Sequence, residues 1–105
     1  MKNWRRYEIL LPLYFNDDSP VPRTLIAETI EELENRFGAV SSETQIIQGR
    51  WQSGGKHYSD ELVRIWVDAE ETDSVKAFFA ELKEKLKARF EQLDIWMVSY
   101  SVNVI

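Results

Sequence analysis

The only histidine of the sequence, His57, falls in the polar stretch Gln52-Ser53-Gly54-Gly55-Lys56-His57-Tyr58-Ser59-Asp60-Glu61. Ser53, His57 and Asp60 are the residue types of a hydrolase triad, in which a hydroxyl attacks, an imidazole takes its proton and a carboxylate orients the imidazole. One short loop cannot hold a nucleophile, a base and an oxyanion hole in mutual register, so the three read as solvated side chains. His57 with Asp60 and Glu61 also offers donors to a divalent ion. Zinc sites gather three or four donors, several of them nitrogen or sulfur, and here there is no second histidine and no cysteine. Ser53-Gly54-Gly55-Lys56 has the composition of a phosphate loop but neither its spacing nor a following helix, and it reads as a turn. Asp17-Asp18 and Asp60-Glu61 could serve as acid and base or hold a hard cation, but as loop residues they read as solvated charges. No catalytic residue, no metal site and no cofactor is expected.

Aromatic residues carry more information. Trp51, Trp66 and Trp96, with Tyr58 and Tyr100, load the C-terminal two-thirds of the chain. Such rings offer flat contact area at low entropy cost, and neighbouring guanidinium groups add cation–π or anion contacts. Their ordinary use is in a core or between copies. A ligand, if one is bound, is expected at Arg50, Trp51, Arg64 and Trp66.

Composition bounds the protein that must position these groups. The 105 residues, 44% hydrophobic and 30% charged, fit one globular domain spanning 1–105. Absence of cysteine fits a reducing compartment, and the cytoplasm is the expected location. The net charge of −5 opposes attraction to phosphate backbones and anionic lipid, so nucleic acid and membrane are not expected partners. Lys2, Arg5 and Arg6 form a small basic cluster that reads as solubilising charge.

Period-two alternation marks Tyr7 to Phe15 as a strand with Tyr7, Ile9, Leu11, Leu13 and Phe15 on one face, and Pro12 requires an unpaired amide side there. Pro22 opens a helix whose stripe is Leu25, Ile26, Ile30, Leu33 and Phe37, stopped by Gly38. Thr44 to Trp51 and Leu62 to Asp68 read as two antiparallel strands joined by Gln52 to Glu61, with Val63, Ile65 and Val67 facing the core. Thr72 or Asp73 caps a second helix carrying Val75, Phe78, Phe79, Leu82, Leu86 and Phe90, with Leu93 as a further candidate for its stripe, and a final strand follows from Trp96.

This order is β-α-β-β-α-β. Right-handed crossovers place both helices on one face of a four-stranded antiparallel sheet in the order 4-1-3-2, an α+β two-layer sandwich. The uncovered face then presents Glu8, Leu10 and Tyr14 beside Leu62, Arg64, Trp66 and Asp68. Leu10, Tyr14, Leu62 and Trp66 would make an apolar patch that asks for a cover, most economically a second copy. The stretches YEILLPLYFNDDSPVP, QGRW with DELVRIWVD, and LDIWMVSYSVNVI resemble a family of small bacterial proteins of ferredoxin-like topology to which no activity is attached. The resemblance implies that topology and no mechanism.

The expected function is a cytoplasmic binding or interaction module, self-associating as a homodimer through the open sheet face or an edge strand, with a protein or small molecule as partner. The alternative is a cofactor-independent enzyme of the dimeric α+β barrel type, with a small-molecule pocket between sheet and helices.

Overall fold

The computed structural model describes residues 2–43 and 45–105. Its elements are β1 (Trp4–Pro12), α1 (Arg23–Phe37), β2 (Ser41–Ser42), β3 (Ile47–Ser53), β4 (Lys56–Glu70), α2 (Asp73–Arg89) and β5 (Met97–Val102). All sheet pairings are antiparallel. The strand path is β2-β4-β1-β5, with β3 also paired to β4. Taken together, β2 and β3 form one interrupted edge, so the expected order is found with five strands instead of four. The interruption has a register signature. Ser42 lies opposite Ile65 and Ile47 opposite Leu62, so the two pieces differ in register by two residues on β4. The expected second strand began at Thr44, which lies outside the described residues.

Both helices start and stop where their chemistry dictates. Pro22, extended at φ −57° and ψ 136°, precedes α1, and Gly38 ends it in the left-handed region at φ 81°, donating its N–H to the Glu34 carbonyl. The Thr72 hydroxyl accepts from the Val75 N–H at the start of α2, while Lys87 and Arg89 sit in the last turn, where the dipole favours cations.

Tyr7, Ile9 and Leu11 of β1, Ile65, Val67 and Ala69 of β4, Leu33 of α1, Phe79, Leu82 and Leu86 of α2, then Phe90 and Ile95 make the core. Val63 is partly buried against it. The Tyr7 and Phe79 rings stack at 3.9 Å, and Phe37 stacks on Phe79 at 5.3 Å. Buried Thr29 is satisfied twice, donating to the Leu25 carbonyl and accepting from Arg89, each at 2.9 Å. Pro12 costs no bond. The Leu10 N–H reaches the Trp96 carbonyl, so Pro12 also turns its nitrogen towards β5, which pairs β1 only as far as Ile9.

One expectation is corrected outright. Gln52 to Glu61 is not a loop: β3 and β4 continue in register to Ser53 and Lys56, and only Gly54 and Gly55 turn the chain. Their φ values of 57° and 77° are those of a two-residue hairpin turn with both central residues left-handed, which only glycine adopts without strain. The hairpin therefore projects as an arm with Lys56 to Glu61 all exposed, and the molecule measures 47 × 30 × 25 Å.

Replacing Phe79, 2% exposed and in contact with two stacked rings, by alanine is expected to cost about 3–5 kcal/mol. Gly55→Val, which adds a β-branched side chain at φ 77°, should leave the core melt nearly unchanged and unravel the arm. Thermal unfolding by circular dichroism with amide exchange along 47–62 separates the two effects.

Candidate functional site

Two surfaces carry the residues singled out in the sequence. The first is the open face of the sheet. Register places Arg6 opposite Asp68 and Tyr100, Glu8 opposite Trp66 and Val98, and Leu10 opposite Arg64. Arg6 grips Asp68 with two nitrogens at 2.7 and 2.9 Å. Arg64 donates one nitrogen to Glu43 at 2.7 Å and another to Glu8, which also accepts from the Tyr100 hydroxyl. Trp66 lies between the two arginines, with the Arg64 guanidinium 4.4 Å and that of Arg6 6.0 Å from its ring centroid.

Pairing shifts Glu8, Arg6 and Arg64. Hydrogen bonds from Arg64 and Tyr100 hold the Glu8 carboxyl below the usual carboxylate range, while Asp68 raises Arg6, and Glu8 with Glu43 raises Arg64. The charged groups of the face are therefore paired with one another. Leu10 and Leu62 are half-buried within it. Tyr14 is not part of it: β1 ends at Pro12, and Tyr14 instead bridges to Pro20 and stands 46% exposed. The patch expected from Leu10, Tyr14, Leu62 and Trp66 is thus broken by ion pairs and shortened by the end of β1.

The second surface is the arm. A hairpin alternates its side chains between two faces. On the side continuous with the open sheet face, Trp51 and Tyr58 are direct cross-strand partners, stacked at 4.2 Å with 15° between planes. The Trp51 indole N–H donates to Asp60 at 2.8 Å. Both rings remain open to solvent, at 48% and 41%. The other side carries Gln48, Arg50, Gln52, His57 and Ser59, which with the edges of Trp51 and Tyr58 line a concavity of about 550 Å³. Arg50 is opposite Ser59, and Gln52 is opposite His57. Arg5, Arg6, Arg64 and Arg89 all hold carboxylates; Arg50 makes no ion pair among the described residues.

The four residues expected to hold a ligand are thus divided. Arg64 and Trp66 touch each other on the open face, whereas Arg50 and Trp51, as neighbours in a strand, point to opposite sides of the arm. Ser53, His57 and Asp60 do not converge: their backbone partners are Lys56, Gln52 and Gly49, respectively, and Asp60 is engaged by Trp51. Sequence reasoning missed the Trp51–Tyr58 stack and the Glu43–Arg64–Glu8–Tyr100 chain. The stack had a usable signal, since Gly54-Gly55 as a two-residue turn fixes every cross-strand pair of the hairpin, Trp51 with Tyr58 included.

Among the described residues no three histidine, cysteine or acidic side chains gather to hold a metal, and no helix is long and apolar enough to cross a membrane. No family model and no curated protein matches the chain. Solved structures do. A phage SAM lyase in complex with S-methyl-5′-thioadenosine is 16% identical, with a TM-score of 0.67 over 96% of this chain and 90% of that one. A phage SAM lyase in the apo state gives 0.71 at 12% identity over 94% and 81%. The divalent cation tolerance protein CutA1 from Thermus thermophilus gives 0.65 at 15% identity over 94% and 84%.

What is shared is the fold. At these identities the likeness reaches the two helices on an antiparallel sheet and goes no further.

Because the Glu8 carboxyl is depressed in the folded state, its stabilising contribution is complete above the unfolded carboxylate value of about 4.3 and is lost as pH falls through the lower folded value. Glu8→Gln should destabilise the protein at neutral pH by about 1 kcal/mol. It should also flatten the acid limb of the stability curve, measured by urea unfolding between neutral and acidic pH.

Proposed function

We propose that the chain is a self-associating, small-molecule-binding module of the cytoplasm, in which the β3–β4 arm joins copies and the concavity beside Arg50 and His57 receives the ligand. The observation that carries this reading is the arm itself. A two-stranded hairpin is marginal in water without a sheet or helix behind it, yet this one extends β4 by six exposed residues and holds a Trp51–Tyr58 stack open to solvent. Aromatic rings placed so are the usual anchors of an interface. The open sheet face is a poorer anchor, because burying Arg6, Arg64, Glu8 and Asp68 would desolvate ions that are already paired.

A ligand must lie outside the sandwich. The pocket of an α+β barrel enzyme would sit between sheet and helices, and that space is filled by Leu33, Phe79, Leu82, Leu86 and Phe90, each at most 2% exposed. The arm's concave side instead offers amide, hydroxyl, imidazole and guanidinium groups next to aromatic edges, a set suited to a polar ligand bearing a flat ring. The S-methyl-5′-thioadenosine held by a phage SAM lyase of the same fold is a ligand of that kind and supports the choice.

Sedimentation velocity across the micromolar range should show an oligomer for the natural chain. Trp51→Ala with Tyr58→Ala is expected to weaken it at least about tenfold; a natural chain that stays monomeric throughout refutes self-association. A thermal-shift panel of nucleosides and nucleotides tests the ligand. A true binder at about 100 times its Kd adds about 2.7 kcal/mol, several degrees for a domain of this size, and Arg50→Ala should abolish the shift. No shift from any compound removes the nucleoside reading.

A further inference from the structure

We infer that the ligand received by the arm is an anion of the mononucleotide class, a flat ring carrying a phosphate ester, with the phosphate taken by the Arg50 guanidinium. The inference rests on the ligand-binding reading proposed above and adds to it the charge that the ligand carries.

Most arginines are already committed within the chain. Arg5 is held by Glu71, Arg6 by Asp68, Arg64 by Glu8 and Glu43, and Arg89 by Glu28 and Glu32, while the Arg36 guanidinium lies over the Phe37 and Phe78 rings. Arg23, exposed at the start of α1, does not border the concavity of the arm. Arg50 does border it and forms no ion pair among the described residues.

No residue lining that concavity is acidic, in a chain with 18 acidic and 13 basic residues. Asp60 points to the other side of the hairpin, where the Trp51 indole holds it. Glu61 shares the concave side but lies one pair beyond Arg50 and Ser59, opposite Gln48, and makes no bridge to Arg50 among the described residues. Salt limits the reach of distant carboxylates to about 8 Å under physiological conditions, so the concave side is locally positive although the chain carries −5.

Register supplies the rest of the site. Arg50 is opposite Ser59, and the next pair on the same side is Gln52 with His57. Opposed and diagonal neighbours on a hairpin stand about 5–8 Å apart, so guanidinium, hydroxyl, amide and imidazole N–H or O–H donors can converge on one group. A phosphate presents only acceptor oxygens to them, and the guanidinium fork matches two of those oxygens at once. The volume of about 550 Å³ lies within the usual range of small-molecule sites, and the edges of Trp51 and Tyr58 give a ring its contact. Charge decides between a nucleoside and its phosphate. A neutral ligand laid over Arg50 strips water from the guanidinium and returns no counter-charge, whereas an anion replaces that water with a paired hydrogen bond.

Calorimetric titration of the full chain with each nucleoside, its 5′-monophosphate and inorganic phosphate tests the assignment. At least one monophosphate should bind about tenfold or more tightly than its nucleoside and than inorganic phosphate. Its advantage over the nucleoside should shrink as sodium chloride approaches about 1 M, where screening acts within about 3 Å. Arg50→Gln removes the charge at an exposed position; it should leave the melt unchanged and erase that advantage. A nucleoside that binds as tightly as its monophosphate, or an advantage that survives both high salt and Arg50→Gln, overturns the anion and leaves the ligand-binding module standing. Inorganic phosphate that binds as tightly as every monophosphate overturns the nucleotide class. A chain that binds none of these titrants overturns the inference together with the nucleoside reading on which it rests.

Discussion

The length of β4 is the constraint from which the other features follow. It runs for fifteen residues, but helices cover only its second half, where Val63, Ile65, Val67 and Ala69 alternate towards the core. Two helices of 15 and 17 residues, about 22 and 26 Å long, seal that half with a close-packed layer and leave no material for the rest. From Lys56 to Asp60, β4 therefore pairs only with β3 among the described residues. Hydrogen bonding across the hairpin satisfies its backbone, while its side chains must be polar or find a partner outside the chain.

On the reverse side of the sheet the same economy is solved electrostatically. Trp66 would be a costly exposure in the middle of an open face, and it is instead flanked by Arg64 and Arg6, whose charges are held by Glu8, Glu43 and Asp68. Long side chains whose stems shield the ring and whose heads remain in water give that face a cover of its own. The apolar surface that still lacks one lies at the periphery, on the arm and along β5.

The parts of the fold legible in the sequence were those where burial leaves a period. Leu33, Phe79, Leu82 and Leu86 recur as a helix must to bury one stripe, and Ile65 and Val67 alternate as a half-buried strand must. The arm was misread for the same reason: Gln52 to Glu61 is exposed on both faces, so no alternation is imposed on it, and polar residues with two glycines look like a loop. Tyr14 followed the parity of Arg6, Glu8 and Leu10 but fell beyond the point where β1 ends. Ion pairs such as Arg64 with Glu8, 56 positions apart, depend on strand register, which composition does not encode. Arg50 and Trp51 are adjacent on a strand and so point to opposite faces of it, although both border the concavity of the arm.

Excision of the arm tests this division of β4 most directly. A chain in which residues 49–60 are replaced by Asn-Gly, so that Gln48 and its partner Glu61 flank a two-residue turn, keeps every core residue. It should melt cooperatively and associate more weakly than the natural chain, with the core amides of Ile65 and Val67 still protected from exchange. An unfolded product, or an oligomer as tight as that of the natural chain, would contradict the view that the sandwich stands alone and the arm serves its neighbours.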